Sequence, residues 1–427
     1  MVAHTEQLSE RPVVAAAFVA IVLFVVSWTL LHVGFYTRDQ VIDTPVYQRY
    51  GNAIADGKVP YRDFELEYPP GALPMFALPG LAEPGSDQDV SPGFRRAFET
   101  LMWLCGAAAL CAMAFILRAL RRRPETVWAA LVLAALAPLA VGSVILSRFD
   151  LWPAAISVAA LAALVSGLPR LGHGLLGLGI AAKIYPAVLV PLAVAFVWKR
   201  AGRREALVCA AILAAVVAAF FVPFAIVAPG GLWHSFSVQL SRPLQIESLG
   251  SALLLAAHHT FGLGVKGDTS HGSQNLDGTT ADVMAVASSV VQAALLVWIW
   301  VSFARGKASR EGLVLASVAA VCVFIAFGKV LSPQFLIWLV PLVPLVRGRR
   351  GVWASGLLLL ALVLTQIWFP FRYFRLALDF EPAMTWLLLA RDLVLVALAA
   401  LLTLGLRRNG DANGLAGGRA PVRPALD

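Results

Sequence analysis

The residues best suited to chemistry lie in a polar stretch, residues 36–74, between two long apolar segments. Asp43 lies near the start of this stretch, and the acidic residue Glu67 precedes a Tyr-Pro-Pro corner at residues 68–70. A carboxylate at the half-dry boundary of a membrane has a raised pKa and accepts a proton more readily. We therefore predict that Asp43 is a general base.

Both acids also have simpler roles open to them. An aspartate two residues before Pro45 suits the N-cap of a helix. Glu65 and Glu67 are rival candidates for the base, but a structural role suits them better, in which they hold the corner at 68–70 or pair with Arg62. A cap and a base are compatible, so the prediction for Asp43 stands beside its alternative.

Basic side chains at the ends of apolar segments indicate a binding site for an anion. Arg148, Lys183 and Lys329 occupy such positions. Arginine forks and lysine point charges bind phosphate well, and charges near the bilayer are expensive to retain. We predict that these three residues bind the phosphate of a lipid-linked donor. Alternatively, they pair with nearby acids and close the outer surface, and Arg148 simply bridges Asp150.

Composition places the chain in a membrane. Of its 427 residues, 59% are hydrophobic and 14% are charged, and the mean hydropathy is +0.77. Apolar runs of spanning length recur without polar alternation, which predicts membrane-spanning helices. The net charge of +9 comes largely from basic clusters that flank these runs. Such clusters are topology signals and lipid contacts, so we expect a lipid bilayer and no nucleic acid as partner.

About twelve transmembrane helices are expected to position the candidate residues. The predicted spans are 13–35, 97–117, 126–146, 151–165, a broken pair of half-helices within 171–198, 206–228, 282–304, 312–328, 332–346, 352–370 and 384–405. The break is placed at residues 183–186. One continuous helix would put the basic cluster at 199–204 outside, against the positive-inside rule.

The fold class is therefore an all-α polytopic membrane protein, with one transmembrane domain over residues 1–406 and a disordered cytoplasmic tail over 407–427. Both termini are expected in the cytoplasm. The outer loops 36–95 and 229–281 are expected to form the active-site face. The four cysteines lie inside apolar runs without metal-ligand spacing, so we expect no metal, disulfide framework or cofactor.

Four short motifs, taken in order, resemble those of a known family. They are Asp43-Thr44-Pro45-Val46-Tyr47 followed by Tyr68-Pro69-Pro70, then Arg148-Phe149-Asp150, Lys183-Ile184-Tyr185-Pro186, and Ser332-Pro333-Gln334-Phe335 with Trp338. The chain resembles the GT-C superfamily of membrane glycosyltransferases. It is most similar to family 87, which includes polyprenyl-phosphate-mannose-dependent mannosyltransferases.

The resemblance implies a GT-C-like bundle and an inverting transfer of a hexose, mannose in the first instance. The sugar would move from a polyprenyl-phosphate donor to a lipid or glycan acceptor on the extracytoplasmic face of the plasma membrane. Asp43 would deprotonate the acceptor hydroxyl. Other substrate-binding residues would be Tyr47, Glu67, Tyr68, Asp150, Tyr185 and Gln334. Related enzymes have a histidine near the position of Gln334, so no second catalytic role is assigned there.

Two other classes of function are compatible with these residues. A transporter or flippase of a lipid-linked sugar would need polar residues through the middle of its spans and often has inverted repeats. A ligase-like protein of envelope assembly would act on whole chains. In this sequence the charges crowd one face, which favours the transferase over the transporter. The large loop 229–281 does not separate the transferase from the ligase-like protein.

Overall fold

A computed structural model describes residues 2–38, 40–82 and 90–411. Helices dominate these ranges, and the strands described in them form one small sheet. The amino-terminal half contains α1 (Val2–Leu30), α2 (Thr44–Ala55), α3 (Pro74–Ala82), α4 (Pro92–Ala119), α5 (Pro124–Val141), α6 (Val144–Ser147), α7 (Leu151–Ser166) and α8 (Pro169–Ala182). Short 3₁₀ helices at Gly34–Thr37 and Pro70–Ala72 lie in the polar stretch.

The carboxy-terminal half begins with a 3₁₀ helix and ends with a long helix. Its elements are the 3₁₀ helix Tyr185–Leu189, α9 (Val190–Val227), α10 (Pro229–Leu240), β1 (Leu244–Gln245), α11 (Leu249–Phe261), β2 (Lys266–Ser270), β3 (Ser273–Asp277), α12 (Thr279–Arg305), α13 (Arg310–Ala326), the 3₁₀ helices Pro333–Trp338 and Val343–Leu345, α14 (Gly348–Trp368), α15 (Tyr373–Ala377) and α16 (Pro382–Asp411). The sheet has the antiparallel order β1-β3-β2 and lies in the predicted outer loop 229–281.

Seven helical segments in the described ranges are long and apolar enough to cross a membrane. They are Pro12–Leu30, Pro92–Ala119, Pro124–Val141, Tyr185–Val227, Thr279–Arg305, Gly348–Trp368 and Pro382–Leu406. Shorter apolar helices at Pro70–Ala82, Leu151–Ser166 and Pro333–Leu345 accompany them. The predicted all-α polytopic class is confirmed. The predicted tail 407–427 overlaps α16 at 407–411, and residues 412–427 lie outside the described residues.

The predicted break after α8 is present. Lys183 is extended (φ −161°, ψ 140°), and the chain resumes in the 3₁₀ helix Tyr185–Leu189. Gly202, with φ 86°, then bends α9 into two parts, a conformation that glycine adopts readily. Arg170 at the start of α8 pairs with Glu205 just after this bend at 2.8 Å. Helix α8 and the first part of α9 therefore form a helical hairpin, which returns the chain to the end of the bundle where α8 begins.

The segments that connect helices and are rich in arginine and lysine contact one another at one end of the bundle. Arg122, just after α4, pairs with Glu311 at 2.7 Å and donates to the Leu345 carbonyl at 3.0 Å. Lys199 donates to the Gly306 carbonyl at 2.5 Å. The basic segments after α4, inside α9, after α12 and before α14 therefore meet at the same end.

The first polar stretch lies at the other end. The backbone N–H of Ser91, at the start of α4, donates to Gln48 of α2 at 2.7 Å. The 28 residues of α4 cover about 42 Å, the thickness of a bilayer with its headgroups. Helix α4 thus separates the polar stretch from the basic end at Arg122.

Two close backbone contacts hold the polar stretch on the bundle. A Cβ on Gly80 of α3 would lie 2.4 Å from the Gly51 carbonyl carbon in α2. A Cβ on Gly71 would lie 2.5 Å from the Ala181 carbonyl carbon, two residues before Lys183. The corner at residues 68–70 is therefore seated on the end of α8, and only glycine permits this approach.

We expect Gly71→Ala to destabilise the protein by about 1–3 kcal/mol, because the added methyl group overlaps rigid backbone. The check is the midpoint of thermal unfolding in detergent. Gly356→Ala in α14 is the matched control, since a Cβ added at that position would have no atom within 4 Å. Equal midpoints for the two variants would contradict the seating of the corner on α8.

Candidate active site

The candidate residues lie where elements begin or end, so their side chains meet at one end of the bundle. Asp43 is at the N-cap position of α2, and Asp150 has the same position in α7. Arg148 follows α6, and Lys183 occupies the break after α8. Neither aspartate makes a side-chain capping hydrogen bond. Their carboxylates are directed to other partners.

Asp43 forms an ion pair with Arg148. The Arg148 side chain is 6% exposed, whereas that of Asp43 is 31% exposed. Arg148 also donates to the Val41 carbonyl at 3.4 Å, and the Tyr47 hydroxyl donates to Asp43 at 3.4 Å. The carboxylate is therefore partly open on one side and held by a buried cation on the other. The alternative considered for Arg148 in the sequence was a bridge to Asp150, but the ion pair found is with Asp43.

Lys183 forms the second ion pair, with Asp150 at 2.6 Å. The Trp338 indole N–H donates to the same Asp150 oxygen at 2.7 Å. Asp150 is 1% exposed, so its charge is matched by two donors in an environment from which water is excluded. This arrangement fixes Lys183 while its side chain remains 17% exposed.

Aromatic faces surround the Lys183 ammonium group. Its nitrogen lies 4.8 Å from the ring centre of Phe149, 5.4 Å from Phe335 and 5.2 Å from Trp338. Tyr185 stacks on Trp338 with ring centres 3.9 Å apart. The π faces attract the ammonium group and help to hold it in place beside Asp150.

Tyr47 and Tyr68 form a buried aromatic layer next to the ion pairs. Tyr47 lies 5.9 Å from Tyr68 and 5.8 Å from Phe149, measured between ring centres. Burial raises the pKa of both tyrosines, so their hydroxyls stay protonated and act as hydrogen-bond donors. Burial likewise lowers the pKa of Arg148 to about 10, which leaves it a cation at neutral pH.

The remaining predicted residues lie in a neighbouring group. The Lys329 ammonium donates to the Leu240 carbonyl at 2.9 Å, and burial together with Arg242 lowers its pKa. Burial raises the pKa of Glu67, which Arg242 opposes. Gln334 is half-buried in the 3₁₀ helix that carries Phe335. The contact found for Lys329 is with the Leu240 carbonyl, whereas Lys183 forms an ion pair with Asp150.

Arg242 and Glu247 were not predicted as site residues. Arg242 lies close enough to Glu67, Lys329 and Glu247 to shift the pKa of each. Glu247 is 2% exposed, and burial raises its pKa to about 8. The sequence feature that could have identified them is a pair of opposite charges, five residues apart, within the predicted outer loop 229–281. Within the described ranges, no three His, Cys, Asp or Glu side chains are grouped to hold a metal ion.

Comparison of the sequence with models of protein families identifies the class of this protein. The family model described as Glycosyltransferase family 87 matches residues 66–333, more than half of the chain. The protein is a membrane glycosyltransferase. It belongs to glycosyltransferase family 87, so the resemblance found in the motifs is confirmed. Arg148, Asp150 and Lys183 lie inside the matched region, and Asp43 precedes it.

Two solved structures are similar to this chain at low identity. ArnT from Cupriavidus metallidurans, bound to undecaprenyl phosphate, has 14% identity and a TM-score of 0.48, over 96% of this chain and 81% of that one. The apo oligosaccharyltransferase of Archaeoglobus fulgidus has 15% identity and a TM-score of 0.43, over 97% of this chain and 58% of that one. This chain therefore spans less than two thirds of the second. No curated protein matches.

We expect Asp150→Asn to destabilise the protein by about 3–5 kcal/mol, because it leaves the ammonium group of Lys183 without its carboxylate. Thermal unfolding in detergent measures the loss. Asp277→Asn is the matched control, since Asp277 forms an exposed ion pair with Lys266 at 3.0 Å, and its midpoint stays at the wild-type value. A wild-type midpoint for Asp150→Asn would show that the Asp150–Lys183 pair does not hold the site together.

Proposed function

We propose that this glycosyltransferase moves a hexose, mannose in the first instance, from a polyprenyl-phosphate donor to a lipid or glycan acceptor, with inversion at the sugar. The observation that carries the proposal is the pairing of a half-exposed carboxylate, Asp43, with the buried cation Arg148, beside Lys183 and its aromatic faces. Transfer from a phosphate leaving group requires a carboxylate that accepts a proton and cations that stabilise the departing phosphate.

The proposed step uses the chain's own residues. Asp43 accepts the proton of an acceptor hydroxyl, whose oxygen forms a bond to the anomeric carbon as the bond from that carbon to the phosphate oxygen breaks. The bonding electron pair leaves with the polyprenyl phosphate. Arg148, Lys183 and Lys329 stabilise the negative charge that develops on the phosphate. Tyr47, Tyr68, Tyr185, Glu67, Asp150 and Gln334 bind and orient the two substrates.

The pairing of Asp43 with Arg148 limits how strongly the free enzyme acts as a base. An opposite charge nearby favours the ionised carboxylate and weakens its affinity for a proton. When the phosphate of the donor binds Arg148, part of that positive charge is neutralised and the basicity of Asp43 rises. Donor binding thus prepares the base.

An apolar groove supports a lipid-linked donor. It has a volume of about 630 Å³ and lies between the end of α8 and the segments that follow the break at Lys183. Its lining is entirely apolar and consists of Ile180, Ala187, Val190, Pro191, Leu213, Ala214, Val217 and Ala218. A hydrocarbon chain in this groove would have its phosphate end near Lys183, three residues from Ile180.

We expect Asp43→Asn to lower transfer by about 10²–10⁴-fold, because the amide does not accept the acceptor proton. Purified protein is incubated with polyprenyl-phosphate-mannose and a membrane glycolipid extract, and mass spectrometry detects an added hexose. Asp56→Asn, an exposed acid of the same loop, is the control and transfers at the wild-type rate.

Polyprenyl-phosphate-glucose and -galactose in parallel reactions test the identity of the sugar. Transfer by Asp43→Asn at the wild-type rate would remove the assigned base. Movement of intact donor across vesicles without any transfer would favour the flippase.

We further propose that the basic end of the bundle faces the cytoplasm, with both termini, and that the active site faces outward. Arg203→Cys at the basic end is therefore expected to react with a membrane-impermeant thiol reagent only after the cells are permeabilised. Asp268→Cys in the exposed hairpin β2–β3 reacts in intact cells and serves as the control. Labelling of position 203 in intact cells would reverse the orientation.

A further inference from the structure

The indole ring of Trp338 lies between two other aromatic rings beside the candidate active site. The ring centres of Tyr185 and Phe335 lie 3.9 and 4.4 Å from that of Trp338, with interplanar angles of 4° and 20°. Two nearly parallel rings this close would overlap on one face of the indole, so they occupy opposite faces. Phe335 and Trp338 are three residues apart in a 3₁₀ helix, where such side chains are aligned. The stack therefore fixes the plane of the indole.

The indole N–H is directed at the ion pair of Asp150 and Lys183. It donates to Asp150 Oδ1 at 2.7 Å, and the Lys183 ammonium donates to the same oxygen at 2.6 Å. Asp150 and Trp338 are each 1% exposed, so water does not compete for this oxygen. The fixed indole thereby restricts the orientation of the carboxylate, and with it the position of the ammonium nitrogen.

A pair of hydroxyl groups joins the other side of the stack to α7. The Ser157 hydroxyl donates to the Pro153 carbonyl at 2.7 Å. Its oxygen is left to accept a hydrogen bond from the Tyr185 hydroxyl, 3.1 Å away. Asp150 is at the N-cap position of the same helix. Helix α7 therefore holds the stack at two points, through Ser157 and through Asp150.

We propose that Trp338 is a positioning residue, which sets the place of the Lys183 ammonium through Asp150. This role rests on the proposed function of Lys183 as a ligand of the donor phosphate. A cation that is already in place needs no reorganisation when charge develops on the departing phosphate. Asp150 and Tyr185 orient the donor through Lys183, because Asp150 is buried and the Tyr185 hydroxyl is bound by Ser157.

The competing explanation is that the stack only stabilises the fold. Trp300 offers a matched comparison, because its indole N–H donates to the Val188 carbonyl at 2.9 Å. Val188 belongs to the same 3₁₀ helix as Tyr185. Trp300→Phe therefore removes the same kind of hydrogen bond from the same segment, but this bond does not involve the Asp150–Lys183 pair.

The first experiment measures equilibrium binding of radiolabelled farnesyl phosphate, a short prenyl phosphate, to the purified protein in detergent. For Trp338→Phe we expect the dissociation constant to rise about 10-fold, because the ammonium is no longer held where it meets the phosphate. Trp300→Phe keeps the wild-type constant. Farnesol, which lacks the phosphate, binds the wild type and both variants equally.

A second background tests whether Trp338 acts through Lys183. The double variant Asp150→Asn/Lys183→Met removes both charges of the pair, so neither is left unpaired. Adding Trp338→Phe to it is expected to leave its affinity for farnesyl phosphate unchanged, because the two sites are coupled. A further fall of about 10-fold in this background would overturn the positioning role, because independent effects add. Wild-type affinity in the single variant Trp338→Phe would overturn it as well.

The transfer assay tests the part of Tyr185. Tyr185→Phe and Ser157→Ala remove the two sides of one hydrogen bond, and rates are normalised to the folded protein. We expect each to lower kcat about 3-fold through a small displacement of the stack, and the two together to lower it no further. Loss of transfer in Tyr185→Phe with a wild-type rate in Ser157→Ala would show that the Tyr185 hydroxyl binds substrate, which would overturn its positioning role.

The outcomes separate this role from the proposed function. Absence of transfer by the wild-type protein, with farnesyl phosphate still bound, would overturn the transferase and leave the binding measurements to decide on Trp338. Absence of farnesyl phosphate binding by the wild type would overturn the phosphate site at Lys183, and the positioning role with it.

Discussion

The structure depends on the pairing of opposite charges where water is scarce. Asp150 is 1% exposed and Arg148 is 5% exposed, in a chain that is 59% hydrophobic. An unpaired charge in such surroundings is strongly destabilising, so each acid must meet a cation for the fold to close. Asp43 meets Arg148 and Asp150 meets Lys183, and these two pairs join segments that are far apart in the sequence.

The same requirement explains why the ends of helices matter more than their centres. A helix within the bilayer satisfies its own backbone, so polar side chains are found mainly where helices stop. The break at Lys183, the start of α7 at Asp150 and the 3₁₀ helix with Trp338 bring three such ends together. Arg391 and Asp392 are the exception, since they lie inside a span and are joined to the outer segment at Glu247.

The sequence predicted the helical class, and it named residues that the structure brings together in pairs, Asp43 with Arg148 and Asp150 with Lys183. Apolar runs predicted where the helices lie; about twelve spans were expected, and seven helical segments of the described ranges are long and apolar enough to cross a membrane, beside three shorter apolar helices. The excess of basic residues on one set of connections favoured a break near Lys183. The break could be predicted because both of its causes act locally. Pro186 disfavours a helical conformation in the residue before it, and the basic cluster at 199–204 favours the cytoplasmic side. The N-cap position of Asp43 was likewise readable, although its side chain has another partner.

The tertiary structure determines which charged side chains form ion pairs with each other. Arg148 is two residues from Asp150 in sequence, yet its ion pair is with Asp43, and Asp150 is bound by Lys183 and Trp338. Sequence distance does not determine such partners, because they depend on how α2, α7 and α8 pack. The burial of Glu247 and its link to Arg391 also arise from packing, across a separation of 144 residues. Hydrophobic pattern and charge bias act locally and can be read along the chain, whereas pairing depends on the arrangement of helices that only the folded bundle specifies.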